Sequence, residues 1–168
     1  AGETYSVHGG IAAKGSNGFG VVVAALGEQM LRVTAAMADG TLTWCTGPST
    51  LAGHTIPTIN RAADEFGRPA PRVIAALPVC VTQDKEAAAA RAAKVFAVYG
   101  TLPSYRAMLD KEGAAGPADI AITGSVAEVQ DRVASLAGIG VTDFAAVEFG
   151  ATPDEIGNTR EALKGLLR

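Results

Sequence analysis

Short runs of apolar residues alternate along the chain with longer stretches in which apolar positions recur at helical spacing. The short runs predict the main strands, at residues 21–25, 41–45, 72–81 and 141–149. The longer stretches predict helices, at residues 28–38, 49–66, 86–99, 103–111, 125–137 and from 153 onward. Because each main strand is followed by a helix, neighbouring strands are predicted to be parallel and joined by right-handed crossovers.

Local signals refine these elements. Residues 21–25 form a continuous β-branched run, which is typical of a strand buried on both faces. Pro57 lies inside a helical pattern and predicts a kink or break there. Pro78 lies inside a strand pattern and predicts a bulge or an early strand end. Capping boxes are predicted at the helix starts that follow Ser125 and Thr152.

The chain has 168 residues and a net charge of −3, which fits one globular domain over residues 1–168 with a partly irregular lead-in over 1–20. Within that lead-in, residues 3–8 predict a short exposed strand or hairpin. The charge argues against nucleic acid as the main partner, because phosphate binding requires a concentrated basic patch. Cys45 and Cys80 are predicted to be buried thiols in a reducing compartment.

No segment is long and apolar enough to span a bilayer, and the first residues carry no signal sequence. A soluble cytoplasmic protein is therefore expected. No G-x-G-x-x-G motif follows the first strand, where Gly27 is the only glycine of the turn, so a Rossmann dinucleotide site is not expected. The pattern leaves two α/β architectures open, a doubly wound sheet and part of a barrel.

Three stretches resemble the luciferase-like monooxygenase family, especially its actinobacterial deazaflavin branch. Residues 21–47 read VVVAALGEQMLRVTAAMADGTLTWCTG, which is similar to that branch's strand, cofactor turn, helix and second strand. Residues 122–129, ITGSVAEV, resemble a family helix start, with Ser125-Val126 where the family has Thr-Pro. Residues 137–148, AGIGVTDFAAVE, resemble the join into the last strand.

The resemblance implies an α/β fold, namely the parallel (β/α) half of a TIM barrel. The four main strands would be barrel strands five to eight, with an insertion before the last strand formed by the short helix after Tyr99. A full barrel typically needs about 250 residues. The family's ring platform, and in many members its acid/base residue, would lie in a half that is not in this sequence.

The resemblance further implies an oxidoreductase that transfers hydride through the reduced deazaflavin coenzyme F-420 (F420) to a small organic substrate. An FMN-dependent monooxygenase is the alternative. Barrel enzymes carry their sites where strands end and helices begin, so two turns are expected to bind the cofactor. The first turn comprises Ala24, Ala25, Leu26 and Gly27, and the second comprises Cys45, Thr46 and Gly47.

Two further residues are candidates for the substrate pocket. His54 follows the second turn and could donate a hydrogen bond into the pocket. Glu148 ends the last main strand and is the local acid/base candidate, with pairing to Arg160 as the other interpretation. The catalytic group itself is not assigned. No metal site is expected, because His8 and His54 are isolated from carboxylates at ligand spacing.

A half-barrel would leave two open sheet edges, which invite pairing. We therefore expect a homodimer or docking on a complementary half-barrel. A non-catalytic half-barrel that self-associates is a second hypothesis for the chain. A small-molecule sensor built on a different parallel sheet is a third, and it predicts no binding of flavin or deazaflavin.

Overall fold

The computed structural model describes residues 18–167 and contains one parallel sheet of five strands. The strands are β1 (Val22–Ala24), β2 (Gly40–Trp44), β3 (Arg72–Val81), β4 (Ile122–Gly124) and β5 (Asp143–Glu148). The α-helices are α1 (Glu28–Met37), α2 (Pro48–Thr50), α3 (Ile56–Glu65), α4 (Lys85–Val95), α5 (Pro103–Glu112), α6 (Val126–Gly138) and α7 (Pro153–Lys164). Every strand pair is parallel, so the predicted parallel α/β fold is confirmed.

The long strand β3 organises the sheet. Its first half pairs with β2, which in turn pairs with β1. The Arg72 amide donates to the carbonyl of the residue before β2, and the Thr82 amide donates to the last carbonyl of β4. The Val73 and Val79 carbonyls accept from amides of the residues that flank β5. Because alternate residues of a strand point their peptide groups to opposite edges, β2 and β4 lie along one edge of β3 and β5 lies along the other.

Most of the core lies between the sheet and the helices on its outer face. Its largest fully buried side chains include Leu31 on α1, Ile59 on α3, Leu77 and Val79 on β3, and Leu136 on α6. Burying a side chain of this size contributes about 1.5–3 kcal/mol each. The helix stripes predicted from apolar spacing therefore account for this layer.

A second, smaller cluster packs on the opposite face of β3. Ala88, Ala92 and Phe96, from α4 and the residue after it, pack there with Cys80 and Phe149. Residues of α4, a 3-10 turn (Ala97–Gly100), α5 and a second 3-10 turn (Pro117–Ile120) separate β3 from β4. The predicted insertion before the last strand is therefore present, and α4 extends it beyond the single short helix that was expected.

The expectation that the first strand is buried on both faces was wrong. β1 is only three residues long, pairs with β2 alone among the described strands, and leaves Val22 exposed. An apolar β-branched run is also typical of a strand at an open edge, which the sequence pattern alone does not distinguish from a central one.

The predicted bulge or early strand end at Pro78 was also wrong. β3 continues through Pro78, which is in regular register with Val147 of β5. On the other edge, the β2 pairing ends at Ala76 and the β4 pairing begins at Val79. Pro78 is an even-numbered position and faces that edge, so its missing amide falls in the gap between two partner strands.

The helical pattern over 49–66 forms three successive segments rather than a kinked α-helix. A π-helical turn (Leu51–Thr55) connects α2 to α3, and Pro57 lies in the first turn of α3. Phe66, the last residue of the predicted helix, follows the end of α3 and is half exposed. Pro57 therefore marks the end of a π turn, in which an extra residue is accommodated.

The capping predictions have different outcomes at the two sites. The box of Ser125 and Glu128 at the start of α6 is confirmed. At α7, Thr152 caps the Glu155 amide, but the Glu155 carboxylate bonds to the Ala151 amide instead of completing the box. Leu167, which falls in the helix predicted from residue 153 onward, lies beyond α7 and is exposed.

The predicted strand or hairpin at residues 3–8 lies outside the described residues. Within residues 18–167, none of the helices combines the length and the hydropathy needed to cross a membrane.

Because Pro78 lies between two partner strands, we expect this position to tolerate the exchange of proline for alanine, whereas nearby Ala76 should not tolerate proline. Pro78→Ala is expected to change the free energy of unfolding by no more than about 1 kcal/mol, mainly through the unfolded chain. Ala76→Pro is expected to cost about 3 kcal/mol or more, because Ala76 pairs with Trp44 of β2 on that edge. Urea unfolding of both variants measures the difference. Equal costs for the two variants would contradict the edge assignment.

Candidate functional site

The first turn, residues 24–27, connects the carboxyl end of β1 to α1. Gly27 is the N-cap of α1 and has no side chain to accept from the first-turn amides. Side chains from elsewhere hold the turn in place. The Thr41 hydroxyl donates to the carbonyls of Val23 and Ala25, at 3.0 and 3.3 Å. The His54 Nε2 atom lies 3.0 Å from the Leu26 carbonyl oxygen.

A cleft of about 470 Å³ opens above this turn. Its lining residues are Ala24, Ala25, Leu26, Gly27, Met30, Leu42, Trp44, Ser104 and Tyr105. Seven of these nine residues come from β1, the first turn, α1 and β2, whereas Ser104 and Tyr105 come from the first turn of α5. The insertion therefore forms one wall of the cleft. The volume lies within the range of small-molecule sites, about 300–1,000 Å³.

Aromatic side chains of the insertion and of β2 form a continuous row that reaches the cleft. Tyr105 contacts Tyr99 edge to face, Tyr99 contacts Trp44, and Trp44 contacts Phe96, with centroid separations of 5.1, 5.5 and 5.5 Å. The Trp44 indole Nε1 atom is buried and has no hydrogen-bond partner among the described residues. These contacts hold the insertion against the sheet and leave one indole donor unused.

The second turn, residues 45–47, is more enclosed than the first. Cys45 and Thr46 are buried, and the Thr46 hydroxyl donates to the Trp44 carbonyl at 3.3 Å. Cys45 has a φ of +50°, a left-handed conformation that is uncommon for a residue with a side chain. Burial raises the pKa of the Cys45 thiol to about 12. The thiol therefore stays protonated at neutral pH and is not an activated nucleophile.

Gly47 is packed against Glu112, a residue that sequence reasoning did not single out. The Glu112 carboxylate accepts from the amides of Ser49 and Thr50, at 3.1 and 2.7 Å, and so caps α2. The Thr50 hydroxyl donates to the Met108 carbonyl at 3.2 Å. A Cβ atom at Gly47 would overlap the Glu112 carboxyl group. The helix start beside the second turn is therefore already occupied by a carboxylate from α5.

A family model for luciferase-like monooxygenases matches residues 1–166 of the chain. The chain belongs to the luciferase-like monooxygenase family. No curated protein matches the chain in sequence. The family assignment confirms the resemblance found in residues 21–47, 122–129 and 137–148.

Several solved structures share the fold of the chain at low sequence identity. The coenzyme F420-dependent tetrahydromethanopterin reductase from Methanopyrus kandleri has a TM-score of 0.64 and 20% identity, over 83% of this chain and 48% of its own. An F420-dependent secondary alcohol dehydrogenase has a TM-score of 0.67 and 16% identity, over 91% and 50%. The EDTA monooxygenase from Chelativorans sp. BNC1 has a TM-score of 0.59 and 16% identity, over 86% and 44%.

The chain spans about half the length of these luciferase-like structures. Their identity to it is low, so the likeness concerns the fold. The half-barrel architecture predicted from the sequence is confirmed, because a parallel sheet with its helices superimposes on half of each larger enzyme.

The residues predicted from the family resemblance fall into two groups in the structure. All four residues of the first turn line the cleft, whereas the second-turn residues 45–47 are absent from its lining. His54 is half buried, lies behind the first turn and contacts its backbone. The structure thus assembles the first turn with His54 and separates both from the second turn.

Glu148 lies on β5, on the other side of β3 from β1 and the cleft. The Arg160 guanidinium bonds to both Glu148 carboxylate oxygens and holds the pKa of that carboxyl below its usual range. Ser125, at the start of α6, is occupied as the cap of that helix and bonds to Glu128. Neither residue lines the cleft.

A polar network at the carboxyl end of β3 was not predicted from the sequence. The Arg91 guanidinium donates to Glu155 at 3.0 Å and to the Phe149 carbonyl at 2.8 Å. The Thr82 hydroxyl donates to Glu155 at 2.7 Å. These bonds connect the insertion helix α4 to α7. Within residues 18–167, no cluster of His, Cys, Asp and Glu side chains is arranged to hold a metal ion.

The contact between Gly47 and Glu112 predicts that substitutions at these two positions have coupled effects on the free energy of unfolding. Gly47→Ala is expected to lower the free energy of unfolding by about 1–3 kcal/mol, because the added methyl group has no space beside the carboxylate. The φ of Gly47 is −76°, which suits alanine, so the clash is the only cost. In a Glu112→Ala background the same substitution should cost clearly less. Thermal or urea unfolding of the two single variants and the double variant measures this coupling.

Gly53 provides the matched control. It lies in the same helical segment, and a Cβ atom there would meet nothing within 4 Å. Gly53→Ala is therefore expected to be neutral or stabilising by up to about 1 kcal/mol. Additive effects of Gly47→Ala and Glu112→Ala would contradict the packing argument.

Proposed function

We propose that the chain forms the cofactor-holding part of a luciferase-like oxidoreductase in which reduced coenzyme F420 transfers hydride to a small organic substrate. The observation that carries the proposal is the cleft above residues 24–27, where small side chains and the uncapped start of α1 face the same space. An amide-rich helix start favours a negatively charged or carbonyl group of a ligand.

The residues of the cleft fit a flat, largely apolar ring with a polar edge. Ala24, Ala25 and Leu42 would form the wall against which the ring lies, and Tyr105 would cover it from the insertion side. The Gly27 amide would donate to a ring edge or to a phosphate oxygen. When bound, a deazaflavin supplies the hydride, and the protein supplies position and electrostatics.

FMN remains the second candidate cofactor, in an oxygen-dependent monooxygenase. The observation that favours it is the match to the EDTA monooxygenase, at a TM-score close to those of the two F420-dependent enzymes. None of the cleft residues carries a positive charge. Within the described chain, a phosphate group would therefore depend on neutral donors, namely the α1 amides and the hydroxyl groups of Ser104 and Tyr105, and this applies to both cofactors.

The proposed role of the chain is binding, with the catalytic group supplied from elsewhere. Tyr105 is the only ionisable side chain among the lining residues of the cleft, and burial raises the pKa of its phenol. A protonated phenol can donate a hydrogen bond but does not act as a base at neutral pH.

Cys45 and Cys80 are buried and form no disulfide, which supports a reducing, cytoplasmic location.

We also propose that the open side of the half-barrel associates with a second half-barrel, in the simplest case another copy of the chain. Among the described strands, β1 and β5 each pair on one edge only. Next to the β1 edge, Met30, Val33 and Met37 form an exposed apolar stripe on α1, with spacings of three and four residues. An unpaired edge beside an apolar helix face is typical of an interaction surface.

Filling the cleft tests the cofactor proposal. Ala24 is exposed within the cleft, so Ala24→Phe should weaken binding of F420 or FMN by about tenfold or more with little loss of stability. Fluorescence titration of residues 1–168 with each cofactor measures the dissociation constants. Ala93→Phe, at an exposed position on α4 away from the cleft, should bind like the wild type. Binding of FMN alone would exclude the deazaflavin proposal, and undiminished binding by Ala24→Phe would exclude the cleft.

Changing the α1 stripe tests the association. Sedimentation of the wild-type chain is expected to give a species of about twice the 17.0 kDa protomer mass. The double variant Val33→Glu/Met37→Glu should shift it toward the monomer, whereas Ala93→Glu should not. A wild-type chain that stays monomeric at high concentration would contradict self-association.

A further inference from the structure

We infer that His54 is a positioning residue, which fixes the direction of the Gly27 amide at the edge of the cleft. The inference rests on the proposed function, since it assigns a role within the same cofactor site. It also changes the sequence-based expectation for His54, which was a direct contact with the substrate.

The contact between His54 and the first turn has a defined polarity. The Nε2 atom lies 3.0 Å from the Leu26 carbonyl oxygen, and a carbonyl can only accept. His54 therefore carries a proton on Nε2 and donates it. Removing this donor would leave the partly buried Leu26 carbonyl without its hydrogen-bond partner. The Leu26–Gly27 peptide group would then be free to rotate until its carbonyl met another donor.

The Leu26–Gly27 peptide group transmits this contact to the cleft. The chain has no cis peptide bonds within residues 18–167, so the carbonyl of Leu26 and the amide of Gly27 point in opposite directions from one plane. When the carbonyl points to His54, the Gly27 amide points away from His54. Gly27 lines the cleft, and its amide has no acceptor among the described residues.

The π-helical turn explains how His54 reaches this carbonyl. Its closing bond runs from the Ile56 amide to the Leu51 carbonyl, one residue longer than in an α-helix. Leu51, at the start of the turn, and Ile59, within α3, are both fully buried, so the core holds the chain on either side of His54. An extra residue between fixed ends rotates the intervening side chains by about 100°, so an α-helical turn would direct His54 elsewhere.

Thr41 bonds to other peptide groups of the turn, so its effect on the turn can be measured separately from that of His54. Its hydroxyl donates to the carbonyls of Val23 and Ala25 but not to that of Leu26. Thr41 thus controls the peptide group that carries the Leu26 amide, and His54 controls the next one. The two side chains can be changed separately.

The test combines a cofactor-free measurement with a binding measurement. The probes are the Gly27 amide in a ¹⁵N-edited NMR spectrum, its hydrogen-exchange rate, and the dissociation constant for FMN. In His54→Leu the Gly27 resonance should shift, its exchange should accelerate, and FMN should bind about fivefold more weakly, the equivalent of one hydrogen bond. His54→Gln, whose amide nitrogen reaches a similar distance, should restore all three.

Two controls separate positioning from general loss of structure. His54→Asn is polar but too short to reach Leu26, so it should behave like His54→Leu. Thr41→Val should perturb the Leu26 amide and leave the Gly27 amide near its wild-type position. Failure of His54→Gln to restore the Gly27 amide, or an unchanged Gly27 amide in His54→Leu, would overturn the inference.

Failure of the role inferred for His54 can be distinguished from failure of the cofactor proposal. If the wild-type chain binds neither FMN nor F420, the proposed function fails, whereas the Gly27 resonance and exchange rate still decide the role of His54. If the wild-type chain binds a cofactor and His54→Leu leaves both the amide and the FMN affinity unchanged, the cofactor site stands and the inference fails.

Discussion

Hydrogen bonding along both edges of β3 determines the position of most other elements. One edge carries β2 and then β4, and the other carries β5 and, beyond its end, the Thr159 hydroxyl of α7. Alternate residues of a strand direct their amides to opposite edges, so one strand can hold all of these partners. Pro78 is compatible with this arrangement because it lies in the gap between β2 and β4. The candidate site depends on the same strand, since β2 connects β3 to β1 and its turn.

The candidate site is assembled by contacts between segments that are distant in sequence. His54 reaches Leu26 across 28 positions, and Glu112 reaches the Ser49 amide across 63. Both contacts satisfy backbone groups at loops or helix starts, where the main chain has no partners of its own. The turns are thus shaped by neighbouring elements rather than by their own side chains. For that reason the insertion, which supplies Glu112 and Tyr105, belongs to the site as much as the strands do.

The parts of the fold that were predictable are those with a local cause. The apolar run of β3, the box of Ser125 and Glu128, and the parallel order of strands each follow from residues that lie close together in sequence. Glu112 was missed because a carboxylate at a helix end looks like an ordinary surface charge until its partner is known. At α7 the predicted cap by Thr152 is present, but the Glu155 carboxylate bonds to the tertiary partners Thr82 and Arg91 and does not complete the box. The half-barrel resemblance predicted open sheet edges, but the exposure of β1 did not follow from its apolar run, because exposure depends on the neighbouring elements.

The distribution of charge supports the proposal that this half-barrel holds a cofactor rather than acting on a substrate alone. Two groups near the turns are not available as bases or nucleophiles, since burial keeps the Cys45 thiol and the Tyr105 phenol protonated at neutral pH. Glu148, the remaining candidate, is neutralised by Arg160 and lies beyond β3. What the cleft offers instead is a small apolar wall and backbone donors, whose direction is set by hydrogen bonds behind it. Such a surface can orient a ligand that carries its own reactivity, and the proton transfers would then fall to residues across the open side of the barrel.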